Sequence, residues 1–166
     1  MDFLPDELFA LIVSNDIDIY RNLIKAYPRF GLLTTVDNDH WKEMFTERHV
    51  TDECVEWFLA GKRHREKDLA AVIWYSGRQE WWCRGMRHRE CDRPAITNKH
   101  GLELWYWQGE LHRENDQPAL IWNKSKHREW WIRNQRHREG GLPAIVWDNG
   151  DKEWWWKGTF RDRFIL

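Results

Sequence analysis

Long apolar runs are missing from this 166-residue chain. No stretch of about 18 consecutive apolar residues occurs, so a membrane-spanning helix is not expected. A basic leader is missing too. The opening Met1-Asp2-Phe3-Leu4-Pro5-Asp6-Glu7 is acidic, whereas a secretory signal starts basic and then turns apolar. The expectation is a protein that stays inside a cell. Cysteine is scarce: Cys54, Cys83 and Cys91 are odd in number and form no Cys-x-x-Cys pair. That argues against a disulfide framework or a zinc ribbon and suits reduced intracellular thiols. No nucleophile elbow, phosphate-cradling glycine loop or HExxH helix signature is present either.

One-sided charge is also lacking overall, but the net charge of −1 hides a split. Residues 1–53 hold 11 acidic and 5 basic side chains, and residues 54–166 hold 16 and 21. The local balances of −6 and +5 suggest two parts with different roles. An excess of five cations over the longer part falls short of a nucleic-acid footprint. Neither nucleic acid nor a membrane surface is expected as a partner.

What the chain has in excess is tryptophan, 14 residues, and the spacing explains them. His-Arg-Glu recurs at His64, His88, His112 and His137, at intervals of 24, 24 and 25 residues. Trp57, Trp81, Trp105, Trp130 and Trp154 keep the same period, each followed four residues later by Gly61, Gly85, Gly109, Asn134 or Gly158. A fixed period of this size marks a repeat architecture. The units are 54–77, 78–101, 102–125, 126–150 and a partial 151–166.

Each unit reads as a short aromatic strand, such as Glu80-Trp81-Trp82-Cys83, then a two-residue turn at Arg84-Gly85 and an antiparallel return. The Pro-Ala step at Pro94, Pro118 and Pro143 marks a bulge, a bend or a strand start, because proline lacks the ladder N–H. A second strand and a second turn (Ser76-Gly77, His100-Gly101, Lys124-Ser125, Asn149-Gly150) lead into the next unit. Adjacent strand residues face opposite ways. Trp57, Trp81, Trp105, Trp130 and Trp154 should line one face, and Phe58, Trp82, Tyr106, Trp131 and Trp155 the other. Either the sheet curls around one row or one row stays partly exposed. Trp82, Tyr106, Trp131 and Trp155, with Arg84 and Arg133 beside them, are the candidate target-binding face.

The triplets His64-Arg65-Glu66, His88-Arg89-Glu90, His112-Arg113-Glu114 and His137-Arg138-Glu139 invite a metal or acid–base reading. A linear ladder lacks the four converging ligands of a structural zinc site. The structural expectation is that Arg pairs with the downstream Asp, while His and Glu bond across strands or to turn amides. No metal, cofactor or small-molecule substrate is expected. A repeated surface also argues against an active site, which is a single asymmetric constellation.

The core Gln108-Gly109-Glu110-Leu111-His112-Arg113-Glu114-Asn115-Asp116-Gln117-Pro118-Ala119 resembles the variant MORN repeats of bacteria and large DNA viruses. The resemblance covers about two-thirds of the chain. Unit one departs from it, with Leu69-Ala70 where Pro-Ala is expected, and unit four has Gly141 in place of Asp. It implies an elongated array of β-hairpins with a binding role.

The first fifty residues read as helical. Leu4, Leu8 and Ile12 share a helix face, with Pro5 in the first turn. A second amphipathic stretch runs from Asp18 to about Ala26 and ends at Pro28. A third short helix is placed after Asp39. Leu4-Pro5-Asp6-Glu7-Leu8, the stretch Asp18 to Phe30, and Trp41 to Phe45 together resemble an F-box. The resemblance implies docking on a Skp-family adaptor of a cullin ubiquitin ligase through Leu4, Pro5, Leu8, Ile12, Leu23, Ile24 and Tyr27. The other reading is that these residues pack on the first hairpin as a cap. The fold class expected is therefore α+β: a three-helix segment over 1–50, then an elongated antiparallel hairpin array over 54–166. The function expected is a non-enzymatic adaptor, or a scaffold in a viral particle or other large assembly, in the host cytoplasm or nucleus or in the virion.

Overall fold

A computed structural model of the chain describes residues 46–166. Among these residues there is no helix. The expected α+β class is corrected to an antiparallel meander of strands. Thr46–Val50, at the end of the 1–50 segment, is a strand paired along its whole length with Cys54–Leu59. The reason is physical. Five residues with β-branched Thr46 and Val50 at their ends gain less from one helical turn than from a complete ladder on an available edge. The docking candidates Leu4, Pro5, Leu8, Ile12, Leu23, Ile24 and Tyr27 lie outside the described residues.

Each full unit contributes two strands to one twelve-stranded sheet in which successive strands pair in chain order. Lys62–Arg63 lies off the main path, on Cys54–Leu59. Units two to four add a hairpin outside this sheet: Trp82–Cys83 with Met86–Arg87, Tyr106–Trp107 with Glu110–Leu111, and Trp131–Ile132 with Gln135–Arg136. The motif tryptophan is the pivot between the two layers. The Trp81 N–H donates to Ala95 O on the sheet side at 2.8 Å, and its own carbonyl accepts the His88 N–H on the hairpin side at 3.2 Å. Trp57, Trp105 and Trp130 repeat both bonds. The single strand read for Glu80 to Cys83 is thus split at its second residue, and the two parts serve different sheets.

Turn chemistry sets these breaks. The hairpin tips have positive φ at both central residues, as in Arg84 (φ 50) and Gly85 (φ 85). This is the type I′ geometry whose twist matches paired strands. A second left-handed pair follows each triplet, at Lys67-Asp68, Cys91-Asp92, Asn115-Asp116 and Gly140-Gly141. The Pro-Ala step therefore separates two strands rather than bending one. Unit one fills that step with Ala70-Ala71, not Leu69-Ala70. Ala71 is the fully buried residue that accepts the Trp57 N–H, as Ala95, Ala119 and Ala144 accept theirs. The third turn is a three-residue loop in units one, two and four. In unit three it lengthens to the four residues 123–126 between Trp122 and His127, which explains the 25-residue interval.

The core is thin. Trp81 is packed between Ala95 of its own unit and Ala70 of the previous one. One buried indole hides about 200 Å², worth about 5 kcal/mol before chain entropy is counted. One such indole per unit is the main apolar anchor, and alanine beneath it lets the ring approach the sheet.

Candidate interaction surface

Three ladders run along the array, and they decide which side chains are free. The first holds neighbouring units together. Arg89 lies flat over the Trp81 ring at 3.7 Å and donates two 2.8 Å hydrogen bonds to Asp68 of the previous unit. It also bonds Pro94 O at 3.3 Å. Arg113 on Trp105 with Asp92, and Arg138 on Trp130 with Asp116, repeat the arrangement. The indole N–H of Trp81 reaches back to Asp68 O at 3.0 Å, so one turn residue receives both side chains. The hydrogen bonds from Arg89, Arg113 and Arg138 outweigh the effect of burial and hold the carboxyls of Asp68, Asp92 and Asp116 below the ordinary aspartate value. Unit four ends the ladder. Gly141 keeps the carbonyl that receives Trp154 but has no carboxylate, and Asp162 stands where the next arginine would be.

Three triplet histidines meet the glutamate of their own triplet. His64 and Glu66 are 2.6 Å apart, His88 and Glu90 2.8 Å, and His137 and Glu139 2.7 Å. His64 Nδ1 accepts the Arg84 amide at the next hairpin tip, and His137 Nδ1 accepts that of Lys157. Among the described residues, no group of three His, Cys, Asp or Glu side chains is placed to hold a metal.

The second ladder contains the candidate row Phe58, Trp82, Tyr106, Trp131 and Trp155. Adjacent strands lie about 4.8 Å apart, so two strands per unit set equivalent rings about 10 Å apart. That is too far for rings to stack on each other, which needs about 4.5–7 Å, and it leaves room for one guanidinium. Arg87 sits 4.6 Å from Trp82 and 5.6 Å from Tyr106; Arg136 sits 4.8 Å from Trp131 and 5.1 Å from Trp155. The indole N–H groups of Trp82, Trp131 and Trp155 donate to Glu80, Glu129 and Glu153. These rings are half-buried, with their faces and polar edges already engaged. Arg84 and Arg133 are exposed at the hairpin tips, two residues beyond that row.

The third ladder runs along the large sheet, where register aligns Glu56, Val72, Glu80, Ile96, Leu104, Leu120, Glu129, Ile145 and Glu153, buried at five of these nine positions and half-buried at the rest. Glu80, 2 % exposed, receives Trp74, Trp82, Arg78 and Arg87. Burial pushes the Glu129 carboxyl up, but the His127 and Arg136 hydrogen bonds prevail and leave it below the usual glutamate value.

A column that motif reading passes over lies at the hairpin ends, exposed at Trp107 and Trp156 and half-buried at its other members. Leu59, Cys83, Trp107, Ile132 and Trp156 occupy one position, the last before each hairpin tip. In register they face Lys62, Met86, Glu110, Gln135 and Thr159. Trp107 is 50 % and Trp156 40 % exposed, each with an edge-on contact to the previous unit's His88 or His137. The tips are joined in sequence, with Gly85, Gly109, Asn134 and Gly158 N–H groups donating to the previous unit at 2.9–3.0 Å. The column is therefore continuous and rigid. The signal was legible as a position that is always apolar while its identity varies.

The fold and this surface define a class, an antiparallel repeat array with a periodic outer stripe. Comparison with family models, curated proteins and solved structures gives no match.

Proposed function

We propose that the chain is a non-enzymatic interaction protein whose repeat array holds a polypeptide partner while its N-terminal segment docks on a Skp-family adaptor of a cullin ubiquitin ligase. The observation that carries the array half is the outward stripe. At this position Trp107 and Trp156 leave large indole surfaces in solvent, where folding gains little and a bound partner gains much. The adaptor half rests on the resemblance of Leu4-Pro5-Asp6-Glu7-Leu8 and its following segments to an F-box. On this reading the protein acts in the host cytoplasm or nucleus. Among the described residues no helix is long and apolar enough to cross a membrane.

The test is co-elution of the full chain with a purified Skp-family adaptor, for wild type and Leu8→Asp. A complex lost in a folded Leu8→Asp variant supports the adaptor reading, because an unpaired carboxylate on a docking face costs several kcal/mol. Absence of a wild-type complex overturns it. A second reading, a scaffold within a virion or another large assembly, is favoured by the strand Thr159–Phe164. It is exposed at all six residues and pairs on one side only, which suits edge-to-edge addition.

A further inference from the structure

We propose that the third turns of units two and three bind single-stranded nucleic acid, with Trp122 as the stacking platform and Lys99, Lys124 and Lys126 on the phosphates. The strands of the large sheet separate these turns from the hairpin tips, so the surface is distinct from the outer stripe.

The first argument is the state of Trp122. Every other described tryptophan donates a hydrogen bond from its indole N–H, lies under a guanidinium, or meets another ring. Trp122 does none of these among the described residues and is 42 % exposed. Trp74 and Trp147 hold the same position in units one and four, and they are engaged by Glu80 and His127. The backbone of Trp122 is paired on both sides, opposite Leu102 and His127. A fixed indole with its face and N–H idle adds little to folding and offers a base a surface to stack on.

The second argument is the charge around it. Segments 97–102 and 121–128 contain no aspartate or glutamate. Lys99, Lys124 and Lys126 are exposed and form no ion pair among the described residues. The two turns are rigid and joined. Asn98 Oδ1 accepts the His100 and Leu102 amides at 2.8 and 3.0 Å, and the Asn123 amide donates to Gly101 O at 2.8 Å. The Lys99 stem lies across Gly77 of the turn before. Acid returns at Asp148 on one side and at Glu53 on the other, which bounds the patch. The mild cation excess of the whole array argued against nucleic acid, but here unpaired cations collect around one bare indole.

The residue types choose among anionic partners. Docking on a bilayer needs apolar side chains to enter it, and the turn Asn123-Lys124-Ser125-Lys126 is polar throughout. A single phosphorylated side chain is best held by arginine forks, whereas these cations are lysines on two turns. Successive phosphates along one strand suit separate lysines. A duplex keeps its bases stacked and away from Trp122.

The experiment is fluorescence anisotropy of a labelled oligothymidine of about ten nucleotides, titrated with the full chain from about 50 to 200 mM salt. The controls are a duplex of the same length and vesicles rich in anionic lipid. The expected result is saturable binding of the single strand, at least about fivefold tighter than the duplex. Trp122→Ala should weaken it at least about fivefold and leave the salt slope unchanged, because stacking releases no counterions. Lys124→Gln with Lys126→Gln should lower that slope by about 1.4, two contacts at about 0.7 each. Both variants should melt close to wild type. Should Trp122→Ala fold poorly, the lysine pair decides, since neither lysine has an ion-pair partner to lose. Absence of saturable binding at about 50 mM salt overturns the proposal, as does equal affinity for the duplex or indifference to both variants. Vesicle binding lost in the same variants, without oligonucleotide binding, overturns it in favour of a lipid surface. Trp107→Ala should leave oligonucleotide binding unchanged, so failure here is separate from failure of the stripe.

Discussion

Arg89 and Asp68 stand 21 residues apart in sequence and meet through two 2.8 Å hydrogen bonds, with the guanidinium also lying 3.7 Å above the Trp81 ring. The contact joins two units that share little apolar core. Arg89→Lys keeps the charge but removes the planar fork and the stacking surface. It should lower the unfolding free energy by about 1–3 kcal/mol in urea titrations. A double-mutant cycle with Asp68→Asn should return a coupling of at least about 1 kcal/mol, and a value near zero would contradict the clamp.

Unit three exchanges both partners of the buried ion pair at once. Leu104 and Leu111 stand where unit two has Glu80 and Arg87. Leu104→Glu alone buries a carboxylate without its arginine and should destabilise by about 2–4 kcal/mol. Adding Leu111→Arg should recover most of that loss in thermal or urea unfolding. No recovery would show that the two positions are not coupled.

Acid should loosen the joints between units. The folded values of Asp68, Asp92 and Asp116 lie below the ordinary one because each carboxylate accepts arginine hydrogen bonds. Their unfolded value is about 3.9. The stabilisation is thus fully present above that pH and is lost as pH falls through the lower folded values. Melting temperatures measured from pH 6 to pH 3 should stay level above about 4.5 and then fall. Asp92→Asn should melt lower at pH 6 and show a smaller acid decrement. An unchanged decrement would remove Asp92 from the effect.

Hairpin tips should tolerate only residues that accept left-handed backbone. At Gly85 an added Cβ would meet only Lys62, at 3.5 Å or more, so the cost lies in φ of +85°. Gly85→Ala should cost about 1–2 kcal/mol. Asn134→Gly, at φ of +62°, should be neutral within about 0.5 kcal/mol. Equal losses in urea unfolding would point to the lost Asn134 side-chain bond to the Leu111 amide instead.

Much of this architecture was readable without coordinates, because turns and period are local properties. Gly85, Gly109, Asn134 and Gly158 announce tight hairpin tips through backbone conformations most residues avoid. The 24-residue spacing of Trp57, Trp81 and Trp105 fixes the repeat. The strand Thr46–Val50 was not legible, because its partner edge on Cys54–Leu59 is a tertiary feature. The candidate rings Trp82, Tyr106, Trp131 and Trp155 were identified as a row, but their contacts were not. Whether such a row stands open depends on side chains from neighbouring units, and Arg87 and Arg136 fill the gaps. Sequence by itself determined the repeat, its turns and the alternation of its strands, since each depends on a few adjacent residues. Only the tertiary structure decided that the paired tryptophans are interleaved with arginine and that Leu59, Cys83, Trp107, Ile132 and Trp156 form the outer stripe. Exposure is a property of what packs above a residue, and here that includes side chains of the same and of neighbouring units.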